Sequence, residues 1–379
     1  MQFSEQYYEK LSLFKKSVKM EDHARTPMVS NFFTWKVLDS EYDLGRALRD
    51  YDVMREVVCG FHERYGFDAY FELGDRNQIN IPEALGSNHY SIDSETGAIN
   101  FVDAVLMEDD EYRLLTQDPG QFSWTMFNRK YPDANIGQLL DALKAMNEGD
   151  RFRAEMTEKF LFDYSCPGMT NGCLMAPSPI DSFINFYRGI KNGSIDLRRR
   201  KSEVKEACDF IFETQILPVL NMYLEKDDSD YIFGVQLFML AHGVLNRKQF
   251  EEFYWPYLSK AINLFVENDR TVCIYCENSI LRFADFFQDI PKGYVTIQHE
   301  LDDPFELRKA LPNICISGGM NTELLGNGTP KECVDYAKRL IDGMGPGFIM
   351  SQNKMVSFKN DCRRENLLAV NDFVRNYQL

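Results

Sequence analysis

The chain has 379 residues, enough for one large α/β barrel or two modest domains, and its 44% hydrophobic and 13% aromatic residues can fill a sizeable core. A formal net charge of −16 and a pI near 4.9 argue against nucleic acid or an anionic membrane as the main partner. The sequence has no apolar run as long as a membrane span and no signal-peptide core, and its nine scattered cysteines indicate reduced thiols; we therefore expect a soluble, cytoplasmic protein.

The N-terminal half mixes helical and extended patterns. Residues 1–24 predict a polar and aromatic helix, and the next residues lead into a first strand near residue 28. A second strand is predicted near residue 70, and the alternation around the Thr96-Gly97 turn predicts a β-hairpin insertion near residues 88–105. The helical patterns of this half and of the middle of the chain cover residues 51–65, 132–156 and 202–224.

The second half alternates short apolar runs with helices more regularly. Strands are predicted for residues 231–238 and 271–276, followed by a strand–helix–strand–helix–strand run between residues 294 and 350, and residues 246–266 predict one helix. The predicted strands lie near residues 28, 70, 163, 232, 273, 296, 315 and 348, about the eight that an α/β barrel needs. The predicted fold is a (β/α)8 TIM barrel over residues 25–379, with an N-terminal helical extension and the hairpin insertion.

Potential metal ligands and acids gather at the predicted strand ends. They are His242, Cys276, Glu277, His299 and Glu300. In such folds ligands bind at the carboxyl ends of the strands, and zinc accepts imidazole, thiolate and carboxylate ligands. We therefore predict that three of the five bind one zinc ion with an open fourth position. In the alternative prediction no metal binds, and Glu277 or Glu300 is a catalytic general acid whose pKa is raised by burial.

Two further positions at strand ends are predicted to bind substrate. Ser317 begins a Ser-Gly-Gly turn whose backbone amides can approach a ligand closely, and Gln352 ends the last predicted strand. Cys273 and Cys276 match a Cys-x-x-Cys pattern, but residues three apart on a strand point to opposite faces. The pair is therefore not expected to chelate one ion, and only Cys276 remains a candidate ligand.

With these residues assembled, the chain resembles the uroporphyrinogen decarboxylase superfamily, most clearly over residues 230–375. Residues 246–256, with NRKQF and FYWP, resemble the family's SPEQFEEFYWPY helix, and SGGM, LL and GTP between 317 and 330 resemble its GN-x-LL-GTPEE segment. GFI at 347–349, ENL at 365–367 and RTP at 25–27 resemble the family's ending and start. The resemblance implies a (β/α)8 barrel.

Three branches of this superfamily give different functions. True decarboxylases bind a polycarboxylate with N-terminal arginines, whereas residues 26–39 here are largely apolar. Corrinoid-dependent methyltransferases acting on coenzyme M bind zinc through His-x-Cys and a later Cys, where this chain has Ile274, Cys276 and Gln352. The segment from HELDDPFELRKALPN to QNKMVSFKND resembles the O-demethylase methyltransferases, which transfer a methyl group from a phenyl methyl ether to cob(I)alamin.

The O-demethylase resemblance implies a methyltransferase of anaerobic one-carbon metabolism. No DxHxxG corrinoid motif is present, so the cobalamin is expected on a separate corrinoid protein, with a small methoxylated compound as the other partner. Zinc on the ether oxygen or a proton-donating carboxylic acid would stabilise the leaving phenolate. The alternatives are a corrinoid-dependent methyltransferase acting on a methylamine, methanol or a thiol, a decarboxylase, and an inactive ligand-binding barrel. We also consider a homodimer.

Overall fold

A parallel sheet with helices between its strands organises the chain. The computed structural model describes residues 2–76, 78–87, 89–101 and 105–379. The strands are β1 Val29–Ser30, β2 Ala69–Tyr70, β3 Tyr90–Asp93, β4 Ala98–Phe101, β5 Leu174–Met175, β6 Val235–Met239, β7 Val272–Cys276, β8 Val295–His299, β9 Cys315–Met320 and β10 Phe348–Gln352.

The α-helices between these strands vary widely in length. They are α1 Glu5–Lys19, α2 Trp35–Leu38, α3 Leu44–Ala47, α4 Tyr51–Tyr65, α5 Asn80–Ala84, α6 Tyr112–Gln117, α7 Pro119–Lys130, α8 Ile136–Phe162, α9 Pro179–Ser182, α10 Gly189–Arg199, α11 Lys201–Ile211, α12 Leu217–Leu224, α13 Arg247–Phe253, α14 Trp255–Val266, α15 Pro304–Ala310, α16 Thr322–Asn327, α17 Pro330–Met344 and α18 Arg364–Asn376. None of the described helices is long and apolar enough to cross a membrane.

Six strands form one parallel sheet in the order β10-β9-β8-β7-β6-β5, and β1 pairs in parallel with β2. A parallel bridge between Met28 and Met350 joins β1 to β10, so the neighbours follow the order that a barrel requires. Among the described residues β2 and β5 do not pair with each other, so the fold is an α/β fold with a six-stranded parallel sheet, consistent with a TIM barrel whose closure is not established.

The N-terminal helix α1 covers the amino-terminal end of the sheet. Its buried side chains Tyr7, Leu11, Phe14 and Val18 form one core with strand residues such as Cys273 and Cys315. The hydroxyl of Tyr7 donates a hydrogen bond to the carbonyl of Asp230, ahead of β6, at 2.6 Å. The predicted helical extension therefore packs against the sheet.

The main core lies between the sheet and the surrounding helices and includes Cys276 and Leu340. Helix α17 begins with a capping box: the Thr329 side chain accepts from the Glu332 amide, and the Glu332 carboxylate accepts from the Thr329 amide.

Two helices predicted as continuous are interrupted. Pro256 opens α14 after a break at Tyr254, and a π-helical turn over 212–216 precedes Pro218 in α12, because proline has no amide to continue the ladder.

Two predictions in the middle of the chain have different outcomes. The hairpin is confirmed, since β3 and β4 pair antiparallel with Asp93 opposite Ala98; residues 88 and 102–104 of the predicted insertion lie outside the described residues. The strand predicted near residue 163 is wrong, because α8 continues to Phe162, burying Phe160 and Leu161. The corresponding strand is β5, eleven residues later, as counted from residue 163 to Leu174.

Candidate active site

The register of the central strands places a polar row inside the sheet. Tyr275 pairs with Gln298, and Gln298 pairs with Ser317. Side chains alternate along a strand, so Tyr275 and Ser317 face the same side as Cys273 and Cys315, which contact α1 in the interior core. Glu277 and Glu300 come two residues after Tyr275 and Gln298, and continue this interior side towards the carboxyl ends of the strands.

Hydrogen bonds link the two predicted substrate-binding residues through buried side chains. Ser317 Oγ donates to Gln298 Oε1 at 2.6 Å, and Gln298 Nε2 donates to the Gln352 carbonyl at 3.3 Å. Gln352 Oε1 accepts from the Asn31 backbone N–H at 2.9 Å. Ser317 and Gln352 are both buried, and these contacts engage them inside the protein. Both residues are hydrogen-bonded to other protein groups beneath the candidate site, and substrate binding by them stays a prediction.

Tyr275 connects this row to Glu300. The Tyr275 hydroxyl donates to Glu300 Oε1 at 2.7 Å and accepts from Asn31 Nδ2 at 3.2 Å. Glu300 is half-buried, and burial raises its pKa above the usual value; the neighbouring charge of Glu277 acts in the same direction. The hydrogen bond from Tyr275 partly opposes this increase in pKa. Glu300 is therefore an accessible carboxyl group that favours its protonated form more than an ordinary glutamate.

Glu277 is the second half-buried acid at this end of the sheet. Burial raises its pKa, while the positive charge of Arg76 lowers it. Arg76 lies in the loop after β2, is exposed, and its guanidinium carbon is 5.9 Å from the centroid of the Phe33 ring. Its charge also acts on Glu300. Two half-buried acids and the exposed Arg76 thus lie together at the carboxyl ends of these strands.

Aromatic rings form the wall beside the acids. The ring of Tyr275 contacts Phe71 edge-on at 5.8 Å and Phe238 at 5.9 Å between centroids. Phe71 and Phe238 are only partly buried. An aromatic ligand could contact these rings edge-to-face or in an offset stack.

The two histidines and Cys276 lie on the other side of the strands. Cys276 belongs to the helix-facing core, and its Sγ lies 3.6 Å from Met239 Sδ. The fully buried His299 ring lies against Gly318, where an added Cβ would be 3.1 Å from His299 Nε2. His242 Nε2 donates to the Asn278 carbonyl at 3.2 Å. Burial lowers the pKa of His242 and of His299 to about 4, so both are neutral at pH 7.

These positions bear directly on the predicted zinc site. Within the described parts of the chain, no three His, Cys, Asp or Glu side chains form a group that could hold a metal ion. Glu277 and Glu300 face the interior, whereas Cys276 and His299 face the helices, because neighbours on a strand alternate. The five candidate residues, as placed, do not fit one zinc ion, although both nitrogens of His299 lack hydrogen-bond partners. Zinc stays a prediction, and no step is derived through it.

Several residues of the site were not identified from sequence. The alternation that correctly separated Cys273 from Cys276 also places Tyr275 on the same side as Glu277, so the strand pattern contained this signal. Asn31 and Arg76 lie in the segments following β1 and β2, where no periodicity identifies them. Phe71 and Phe238 belong to a chain with 29 phenylalanines, so their residue type alone singles out neither.

Comparisons with known proteins agree with this architecture. The profile of the family described as uroporphyrinogen decarboxylase (URO-D) matches residues 175–377, more than half of the chain, and the protein belongs to that family. Among solved structures, the chain is similar to a methyltransferase from Methanosarcina mazei at 13% sequence identity and a TM-score of 0.62, over 97% of this chain and 98% of that one. At that identity the similarity shows the fold. No curated protein matches the sequence significantly.

Proposed function

We propose that this protein transfers a methyl group from a small methoxylated aromatic compound, a phenyl methyl ether, to cob(I)alamin on a separate corrinoid protein, with Glu300 as general acid. The observation that carries the proposal is the half-buried Glu300 carboxyl group, hydrogen-bonded to Tyr275 beside Glu277 and an aromatic wall. Membership of the URO-D family and the fold shared with a methanogen methyltransferase support methyl transfer as the reaction class.

The chemical task of the protein is to improve the leaving group. As the methyl group moves to cobalt, the C–O bond breaks and its electron pair stays on the ether oxygen, which takes the proton of Glu300 and leaves as a phenol. A phenol has a pKa of about 10, so protonating its oxygen as the bond breaks avoids a free phenolate. Because Tyr275 donates to Oε1 of Glu300, the other carboxyl oxygen is left to carry the proton.

Glu277 and Arg76 tune this acid in opposite directions. The charge of Glu277 raises the pKa of Glu300 and favours its protonated form, while Arg76 lowers the pKa. After transfer Glu300 is a carboxylate, which Arg76 and the Tyr275 hydroxyl stabilise until a proton returns from solvent. In the proposed arrangement, Phe71 and Phe238 hold the aromatic ring with its ether oxygen towards Glu300.

The partners follow from the chemistry. Cobalamin is a substrate delivered on the corrinoid protein, which must reach the carboxyl ends of the strands from outside. In the alternative prediction, a zinc ion stabilises the leaving oxygen. A homodimer and a cytoplasmic location remain expectations. The alternative methyl donors are a methylamine, methanol or a thiol. An amine or a thiol would not need the same proton donation to an oxygen, which is why the acid and the aromatic wall favour the ether.

The test is a methyl-transfer assay with purified protein, cob(I)alamin and a panel of methoxylated aromatics, first with free cobalamin and then with a corrinoid protein. We expect the absorption spectrum to change from cob(I)alamin to methylcobalamin together with release of the phenol. Glu300→Gln should lower kcat by on the order of 10²- to 10⁴-fold. Transfer from a methylamine, methanol or a thiol, with none from any ether, would replace the proposed donor by one of the alternatives.

A further inference from the structure

The loop that carries Glu277 is attached on two sides. On the β6 side, the Glu277 amide donates to the Met239 carbonyl at 3.2 Å, and His242 donates to the Asn278 carbonyl. On the β8 side both contacts go to one residue: Asp302 Oδ2 accepts from the Ile280 amide at 2.7 Å, and its Oδ1 accepts from the Ser279 hydroxyl. Asp302 has a relative exposure of 8% and lies two residues after Glu300.

From these contacts we propose that Asp302 is a positioning residue, which ties the Glu277–Ile280 loop to the loop after β8 and thereby holds Glu277 beside Glu300. The inference rests on the proposed function, because it assigns Asp302 a part in the same reaction. Asp302 itself is not placed to touch the substrate, and acts through the two loops that it joins.

A carboxylate suits this position for a geometric reason. Each of its two oxygens accepts one hydrogen bond, and the two donors are consecutive residues of the same loop. Two contacts restrict both rotation of the loop and its displacement along the end of β8 more than one contact would. Hydrogen bonds to an ionised acceptor are also stronger than those between neutral groups. An amide in its place is uncharged; its oxygen can still accept from the Ile280 amide, but its N–H group can meet the Ser279 hydroxyl only by donating to it, so both contacts are weakened.

The chain provides a matched control in the next residue. Asp303 carries the same charge and also accepts two bonds, from the Phe305 amide at 2.9 Å and the Glu306 amide at 3.0 Å. These contacts cap α15 and do not involve the Glu277–Ile280 loop. Both bonds go to the same oxygen, Oδ1, which asparagine keeps. Asp303→Asn therefore reproduces the change of charge without releasing the contacts between the two loops.

The kinetic test compares Asp302→Asn with Asp303→Asn in the methyl-transfer assay. A shift of about 1 Å in a reacting group can cost on the order of 10²-fold in rate, so Asp302→Asn should lower kcat 10- to 100-fold while KM changes less than about threefold. Asp303→Asn should keep kcat within about twofold. Ser279→Ala removes the hydroxyl contact but leaves the charged acceptor of the Ile280 amide in place. It should therefore give a smaller loss than Asp302→Asn, and it also serves as the test if Asp302→Asn does not fold.

Hydrogen–deuterium exchange of the unliganded proteins tests the tie independently of activity. Peptides covering residues 277–281 should exchange faster in Asp302→Asn and Ser279→Ala than in the wild type, with no change in Asp303→Asn. Unchanged exchange in these peptides, or an undiminished kcat in both loop variants, would overturn the proposal. Faster exchange in a protein that methylates cobalamin from no donor would instead count against the proposed function and leave the structural tie standing.

Discussion

The proposed proton donation depends on the hydrogen bond between Tyr275 and Glu300. Burial and the charge of Glu277 raise the pKa of Glu300, and the hydrogen bond from Tyr275 lowers it; the effects of Glu277 and Tyr275 can each be removed by substitution. A general acid is active while it holds its proton. The rate of methyl transfer should therefore fall as the pH rises through the raised pKa of Glu300.

Tyr275→Phe should move that falling limb of the pH–rate profile to higher pH. Removing the phenol hydroxyl removes the one contact from Tyr275 that lowers the pKa of Glu300, so the acid stays protonated further into the alkaline range. Tyr112→Phe is the control, since it removes a Tyr–carboxylate bond of 2.9 Å to Asp196 away from the mouth. A limb that stays in place or moves to lower pH in Tyr275→Phe would contradict the assignment of the acid.

His299 makes the free energy of unfolding depend on pH. Burial lowers its pKa from 6.5 to about 4, so the unfolded chain binds a proton more readily, and stability from this residue is lost as the pH falls from about 6.5 towards 4. The contribution to the loss between pH 7 and pH 5 is about 2 kcal/mol. Denaturant unfolding of His299→Leu at the two pH values should show a loss smaller by that amount; equal losses would show that His299 titrates normally.

At the scale of elements, close approach of backbones fixes the segment that follows β10. A Cβ added to Gly326 in α16 would overlap the carbonyl oxygen of Asn360, which is backbone and cannot rotate away. This approach holds residues 359–361 against α16, next to the segment containing Met355, whose amide lies 3.4 Å from Glu300 Oε1.

Gly326→Ala should lower the free energy of unfolding by about 1–3 kcal/mol through overpacking. Gly60 in α4 is the matched control, because a Cβ there meets no atom within 4 Å apart from its chain neighbours and the nearby backbone of its own helix. Gly60→Ala should raise stability by about 0.5–1 kcal/mol, since alanine favours the helix more than glycine. Thermal and denaturant unfolding measure both; equal effects of the two substitutions would contradict the close contact.

The sequence was more informative about elements than about the side chains that meet. Helical periodicity predicted α4, and alternating apolar runs and helical patterns predicted α17 and the strands from β6 to β10, because each of these elements carries its own local signal. The third barrel strand was placed near 163, since the apolar residues that end α8 resemble a short strand. At the site, Glu277 and Glu300 could be predicted from their place at strand ends, whereas Asn31 and Arg76 reach the site only through tertiary contacts.

At the scale of the whole molecule, α1 completes the interior of the sheet. Its buried side chains fill the amino-terminal end with Cys273, Cys315 and Ile349, so the polar row and the acids lie at the opposite end. The polar end is therefore the end formed by the carboxyl ends of the strands, where ligands of parallel α/β folds generally bind.

Phe14→Ala should destabilise the whole protein by about 3–5 kcal/mol, because the ring is fully buried between α1 and the sheet. Tyr8→Ala on the same helix is the control, since Tyr8 is 45% exposed and should change stability by less than about 1 kcal/mol. Denaturant unfolding provides the comparison. If both variants unfold at the same concentration as the wild type, α1 does not contribute to the core.

Methyl transfer by metal-free protein tests the central claim most directly. The protein is chelated, dialysed, checked by elemental analysis and assayed with cob(I)alamin and the active methoxylated aromatic, alongside Glu300→Gln. With Glu300 as proton donor, the metal-free wild type keeps full activity and Glu300→Gln loses on the order of 10²- to 10⁴-fold in kcat. An inactive metal-free protein that zinc restores, together with an unimpaired Glu300→Gln variant, would contradict it.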